Sequence, residues 1–338
     1  MSLVAAELPV AEIRGFFGPR AAAVDRCEVD VRDGLRFLAE RGLLGHPELR
    51  VSFELIRLVA RSDLASAFSL WAHTMVVQCV AASPSPRMRA TADQLRRATV
   101  WGSTAMAPAI KHMAGLGELP VTFRRDGDIL VLDGRIPWAS NLFGRDLVVA
   151  LAARGEDGER LVLAVTGENP GLSLGGPQDL LAMSATASSD LVLRGARVEP
   201  QAVISTDFVG YLKAMKPRLL ILQTAFCLGL AAEALTAAEA WPARTMAGYH
   251  DDHAALAQQF ADLDQRAAAL VEALAPVREV VQTRLQAGRL AQAAVELELR
   301  IAGGAGFAAG SPTARRYREA AFLPVQTPTE GQLQAELR

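Results

Sequence analysis

The stretch PVQTPTEGQL (324–333) holds a single acid, Glu330, set between threonines, a proline and a glycine. A carboxylate held against an apolar pocket can serve as a general base, because desolvation lifts its pKa toward neutrality. The same acid on a C-terminal segment is a solvated or helix-capping charge. Both readings stand on the residues alone. Trp138-Ala139-Ser140-Asn141 sets an indole, a hydroxyl and an amide within four residues, which is either a ligand-facing strand end or a core Trp followed by a turn. Gly303, Gly304 and Gly306 would let a backbone approach an anion or a neighbouring chain closely, although helix termination is the commoner use of glycine. His250-Asp251-Asp252-His253 has a spacing that can hold a metal, yet it fits the polar start of a helix better, and no metal is assigned. Lys111 and His112 could meet an anionic ligand or simply stand in an exposed loop.

Three zones position these groups. Over 1–118 apolar residues recur every three to four positions, as in VRDGLRFLAERGLLG and FELIRLVARSDLASAFSLWAHTMVVQCVAA, and the spacing predicts helices. TADQLRRATVWGSTAM is expected to be another helix, and Ser62 or Asp63 offers a cap within SDLAS. Over 119–206 the period shortens. PVTFRRDGDILVLDGRIPW predicts a hairpin turning at Asp126-Gly127, and later β-branched runs bring the count to five or more strands, enough for a small barrel or sandwich. Over 207–338 long helical segments return, as in YLKAMKPRLLILQTAFCLGLAAEALTAAEAW, and predict a helical bundle.

Composition narrows the function classes. The chain has 338 residues, a net charge of −2, and lysine only at 111, 213 and 216 among 35 basic residues. A near-neutral balance supplies no electrostatic footprint for nucleic acid or a membrane surface. Cys27, Cys79 and Cys227 lie far apart among apolar neighbours, as reduced cysteines of a cytoplasmic protein do. The longest apolar run, 219–235, is interrupted by Gln223 and falls short of the roughly 20 residues that span a bilayer. The N-terminus does not read as a signal peptide.

The order of helices, β domain and bundle resembles the acyl-CoA dehydrogenase superfamily, and four short motifs carry the likeness. DGDILVLDGRIPWASNLFGRDLVVALAAR resembles a strand pair whose Trp-x-Thr/Ser-Asn motif lies beside a flavin, with Trp138, Ser140 and Asn141 on that motif. LLAMSATASSDLVLRGARVEPQAVI, RIAGGAGF and RRYREAAF resemble later motifs, in the family's order. The resemblance implies a mainly α protein with an inserted β domain: an N-terminal helical domain (1–118), a middle β-barrel (119–206) and a C-terminal four-helix bundle (207–338). It further implies FAD between barrel and bundle, contacted by Trp138, Ser140, Asn141, Gly303, Gly304, Gly306 and Arg244. The expected substrate is an acyl-CoA or acyl-carrier-protein thioester. The expected partners are an electron-transfer flavoprotein and further subunits, either copies of the chain or a related one.

The departures bear on the chemistry. The family's Thr-Glu-Pro…Gly-Ser-Asp loop is represented by MAPAIKHMAGLGELP, which keeps only Pro108, and the glutamine before the glycine pair is Arg300. Counted without a gap from Arg318-Glu319-Ala320, the position of the catalytic glutamate falls on Thr327, and Glu330-Gly331 comes three residues late. If the chain is a dehydrogenase, Glu330 is its expected base. The alternatives are a flavin-dependent monooxygenase on the same fold, or a base-less subunit that completes a partner's flavin site.

Overall fold

The computed structural model describes residues 8–273 and 276–338. Five helices come first: α1 (Val10–Asp25), α2 (Arg32–Ala39), α3 (Leu49–Ala60), α4 (Leu64–Ala81) and α5 (Pro86–Arg96). The break between α3 and α4 is set by Asp63, whose carboxylate accepts the Ser66 N–H at 2.6 Å and so caps α4. Buried on nearly every side, α4 is the centre of the fold.

The segment expected to continue as a helix after α5 instead turns into a strand, β1 (Trp101–Ala105). Two contacts with α4 account for it. Gly102 lies so close to α4 that a Cβ would meet Val76 Cβ at 2.8 Å and the His73 carbonyl at 3.1 Å. The ring of His73 then pins the strand, accepting the Gly102 N–H at Nδ1 (3.0 Å) while Nε2 lies 3.1 Å from the Leu95 carbonyl. Burial pushes the His73 pKa down to about 4, so the ring is neutral and Nε2 carries the proton.

After α6 (Ala107–Met113) come β2 (Val121–Asp126), β3 (Ile129–Ala139), β4 (Leu147–Gly155), β5 (Arg160–Thr166), β6 (Leu172–Leu174), β7 (Ser189–Val198) and β8 (Val203–Ser205). They form one eight-stranded sheet in the order β6-β7-β3-β2-β4-β5-β8, with β1 also paired to β4. The β2–β3 pair is the expected hairpin, closed by Asp126 opposite Ile129. β1 and β2 both run parallel to β4, β1 along Leu147–Leu151 and β2 along Arg154–Gly155.

The C-terminal region contains α7 (Phe208–Glu239), α8 (Ala243–Met246), α9 (His250–Glu272), α10 (Val277–Phe307), α11 (Pro312–Ala320) and α12 (Glu330–Leu337). α7 packs on α10, α3 and α9, joining the bundle to the N-terminal helices. By length and composition α4 and α7 could each cross a bilayer, but 89% and 83% of their apolar windows are buried inside the protein. They are core helices of one fold, mainly α with the sheet inserted between two helical regions.

Candidate functional site

A cavity of about 640 Å³ opens where the sheet, the N-terminal helices and the bundle meet, within the roughly 300–1,000 Å³ typical of small-molecule sites. Met75 and Cys79 of α4 and Met106 after β1 form its buried part. Leu212, Met215 and Leu219 of α7 form one side, and Pro328, Gln332 and Ala335 another. Four of the eight methionines in the chain (75, 106, 113 and 215) line it. An unbranched thioether fills space yet repacks easily, so this wall suits a flexible apolar ligand.

Among the described residues, charge in the cavity lining is confined to Lys213, Lys216 and Glu336. Lys216 Nζ and the Glu336 carboxylate form an ion pair between α7 and α12. Tyr211 and Cys79 are neighbours in the wall, and burial pushes the phenol upward and the thiol up to about 11. Neither ionises near neutral pH, so the buried part of the cavity is uncharged.

Glu330 is not among the residues of this cavity. It opens α12, where Thr329 and Gln332 form a capping box, and its Oε1 accepts from Arg289 Nε at 2.9 Å and Nη2 at 2.8 Å. The expected base therefore stands outside the cavity, with Oε1 held by Arg289 of α10 and Gln334 of its own helix. Thr327 lies beside the cavity wall at Pro328, and its carbonyl accepts from Gln223 Nε2 at 3.0 Å. Gln223, the polar interruption in the long apolar run, also accepts from Arg284 Nε at 3.2 Å.

The Trp138 motif divides in two. Asn141, at φ 62°, is fully buried and donates to the Ser69 and Gly102 carbonyls at 2.9 and 3.1 Å. It ties the end of β3 to α4 and β1, and its amide N–H groups are spent there. Ser140 and Trp138 remain available. Ser140 Oγ lies 3.2 Å from Ser188 Oγ, itself 2.7 Å from Thr186 Oγ1. The Trp138 indole is 54% exposed, unusual for so large an apolar ring.

Arg244 and the glycines come to one end of the bundle, where Met246 packs with Ala238, Leu297 and Ile301. Gly303 breaks α10 with φ 55° and ψ −140°. Gly306 is required by packing, since a Cβ would meet Ala302 Cβ at 2.5 Å and Thr313 Cγ2 at 3.1 Å, while at Gly304 the same space is open. This end lies far from the cavity: Lys216 and Ala238 are 22 residues apart on α7, about 33 Å at the helical rise. His253 Nε2 is 3.2 Å from the Leu235 carbonyl, and Asp252 pairs with Arg300 at 3.3 Å, so these two tie the first turn of α9 to α7 and α10. His112 packs against Gly117 and Arg160, and Lys111 is exposed on α6.

No family model matches the chain. Curated relatives include the mitochondrial short-chain specific acyl-CoA dehydrogenase of Bos taurus, 27% identical over 229 residues, which cover 62% of this chain and 55% of the relative. The chain thus spans about half the length of the curated relatives it matches. Among solved structures, a glutaryl-coenzyme A dehydrogenase in complex with glutaryl-CoA superposes with a TM-score of 0.88 over all of this chain and 95% of that one, at 17% identity. Butyryl-CoA dehydrogenase from Megasphaera elsdenii superposes with a TM-score of 0.85 over 97% and 96%, also at 17% identity. The chain has the fold of these acyl-CoA dehydrogenases over essentially its whole length.

One region of the chain offers a flat apolar face beside a hydroxyl. An exposed flat indole beside a serine hydroxyl, whose proton no carboxylate takes up among the described residues, suits a planar ring with polar edges. Asn141 does not share in that fit. The cavity residues Tyr211, Lys216 and Glu336 went unnoticed in the sequence, and their one legible signal was the placement of the lysines in an arginine-rich chain.

Proposed function

We propose that the chain is an FAD-dependent oxidoreductase acting on an acyl thioester whose acyl group enters the 640 Å³ cavity. The observation that carries this reading is the cavity itself, an uncharged methionine- and leucine-lined space between sheet and bundle that ends in a charged rim. FAD, when bound, supplies a two-electron acceptor. Trp138 would back the flavin ring and Ser140 would donate to its polar edge, while the methionine wall excludes water from the acyl chain. Arg244 and the glycine end of α10 lie too far from the cavity to hold the same cofactor within one chain, which supports an oligomer of copies or of a related subunit. An electron-transfer flavoprotein is the proposed electron acceptor. Anaerobic addition of an acyl-CoA to the yellow, FAD-loaded protein should bleach its visible absorption. A protein that binds FAD and acyl-CoA without bleaching is not a dehydrogenase.

One observation favours a second reading. Among the described residues the cavity is lined by no carboxylate besides Glu336, which is paired with Lys216, and Glu330 is engaged by Arg289. A flavin-dependent monooxygenase needs no α-proton base, and neither does a subunit that completes a partner's flavin site. Oxygen consumption by protein loaded with reduced flavin would support the first. FAD uptake only in the presence of a second chain would support the second.

A further inference from the structure

We infer that Lys213 and Lys216 form an anion-recognition rim at the cavity mouth, and that Glu336 is a built-in competitor which the ligand displaces from Lys216. The inference rests on the proposed thioester function and adds where the ligand's charge sits and what gates it.

Three observations converge. The chain has three lysines against 32 arginines; two of them line this cavity, and the third, Lys111, stands on α6, whose Ile110 and Met113 also line it. A lysine ammonium is a compact, mobile point charge, suited to an anion that arrives in several poses, whereas arginine favours fixed two-pronged pairing. The cavity changes from apolar and buried at Met75, Cys79 and Met106 to charged and partly exposed at Lys213, Lys216 and Glu336. A matching ligand has an apolar body with its negative charge at the end left in the mouth. Finally, Glu336 is the sole acid in the lining among the described residues, and its pair with Lys216 retains side-chain exposures of 23% and 30%. Among the described residues Lys213 has no acidic partner. The pair is thus reachable from the cavity mouth, where an incoming anion can take the place of Glu336 on Lys216. Arg278 Nη2, 2.5 Å from the Leu337 carbonyl, holds the end of α12 in place while its side chain exchanges partners.

The anion could be the phosphates of a thioester's carrier arm or a carboxylate, and calorimetry on the FAD-loaded protein separates them with three probes: hexanoyl-CoA, uncharged hexanoyl-pantetheine and free hexanoate. The expected result is that hexanoyl-CoA binds about tenfold or more tightly than hexanoyl-pantetheine, and that the advantage shrinks as ionic strength rises. Lys213→Ala and Lys216→Ala should each erode that advantage and leave hexanoyl-pantetheine unchanged. Glu336→Gln should tighten hexanoyl-CoA by about threefold, the opposite direction from losing a structural contact. Equal binding of the two thioesters, or weaker hexanoyl-CoA binding in Glu336→Gln, overturns the rim while leaving the thioester function standing. Binding of hexanoate in place of both thioesters keeps the rim and overturns the thioester function, and binding of none of the three overturns both.

Discussion

Two polar regions flank the last turns of the chain, and they are built on opposite terms. On the side of α10 and α11, polar groups are paired within the protein: Glu298 with Arg316 and Thr313, Arg284 with Gln223, Gln326 and the Leu323 carbonyl, Glu330 with Arg289. On the cavity side the wall is apolar, and its few charges stand at the rim with Lys213 unpaired among the described residues. Groups whose hydrogen-bonding capacity is filled internally fix the chain's path. Groups left open at a cavity are available to something that is not the chain. Glu330 falls in the first class, and the lysines fall in the second.

Breaking the paired side should cost stability in proportion to burial. Glu298 is 1% exposed and binds Arg316 Nε at 2.8 Å and Thr313 Oγ1 at 2.6 Å. Glu298→Ala strands a buried guanidinium and should lower unfolding stability in urea by about 3–5 kcal/mol. Arg284 is 2% exposed and has only neutral acceptors. Arg284→Met leaves three acceptors unsatisfied but also removes a costly buried charge, so a smaller loss of about 2–3 kcal/mol is expected. A loss below that of a surface substitution would show that Arg284 does not hold the segment around Gln326 and Thr327.

How far the sequence foretold this follows from which contacts are local. The helices were legible because their apolar period is written within each segment, and the β2–β3 hairpin because Asp126-Gly127 is its own turn. β1 was not, because WGSTA is a strand only by virtue of Leu147–Leu151 in β4 and the close approach of α4 at Gly102. Trp138 and Ser140 were legible by motif, but the burial of Asn141 depends on the Ser69 and Gly102 carbonyls, distant in the chain. The choice between the two readings of Glu330 was not legible for the same reason. Its capping box is local, yet its partner Arg289 lies 41 residues away, and only folding brings the two together.

The paired side also carries a pH signature. Glu319 of α11 is 2% exposed, and burial pushes its pKa from 4.5 up to about 7, opposed by Arg315 and reinforced by Asp63 and Asp25. The folded state therefore holds this proton more tightly than the unfolded state. Its contribution is full below about pH 4.5 and is lost as pH rises through 7. His73, held down to about 4, has the opposite slope as pH falls from 6.5, so the two offset one another between pH 4.5 and 6.5. Glu319→Gln should flatten the thermal stability profile between pH 6.5 and 8, where the native slope reaches at most about 1.4 kcal/mol per pH unit. An unchanged slope in that variant would place the titration elsewhere.

The smallest effect is the most direct test of the contrast. Arg289 is 52% exposed at its side chain and Glu330 29%, so their pair is worth about 0.2–1 kcal/mol. Glu330→Gln should lose no more than that in a urea titration, because the glutamine can still accept from Arg289. If the paired side is purely structural, the variant also binds hexanoyl-CoA with native affinity, and any bleaching seen in the native protein persists at the native rate. Loss of bleaching with stability intact would mean that Glu330 leaves Arg289 and turns toward Pro328 when ligand binds. The boundary between the two regions would then be mobile in the catalytic state, and the acid would belong to both.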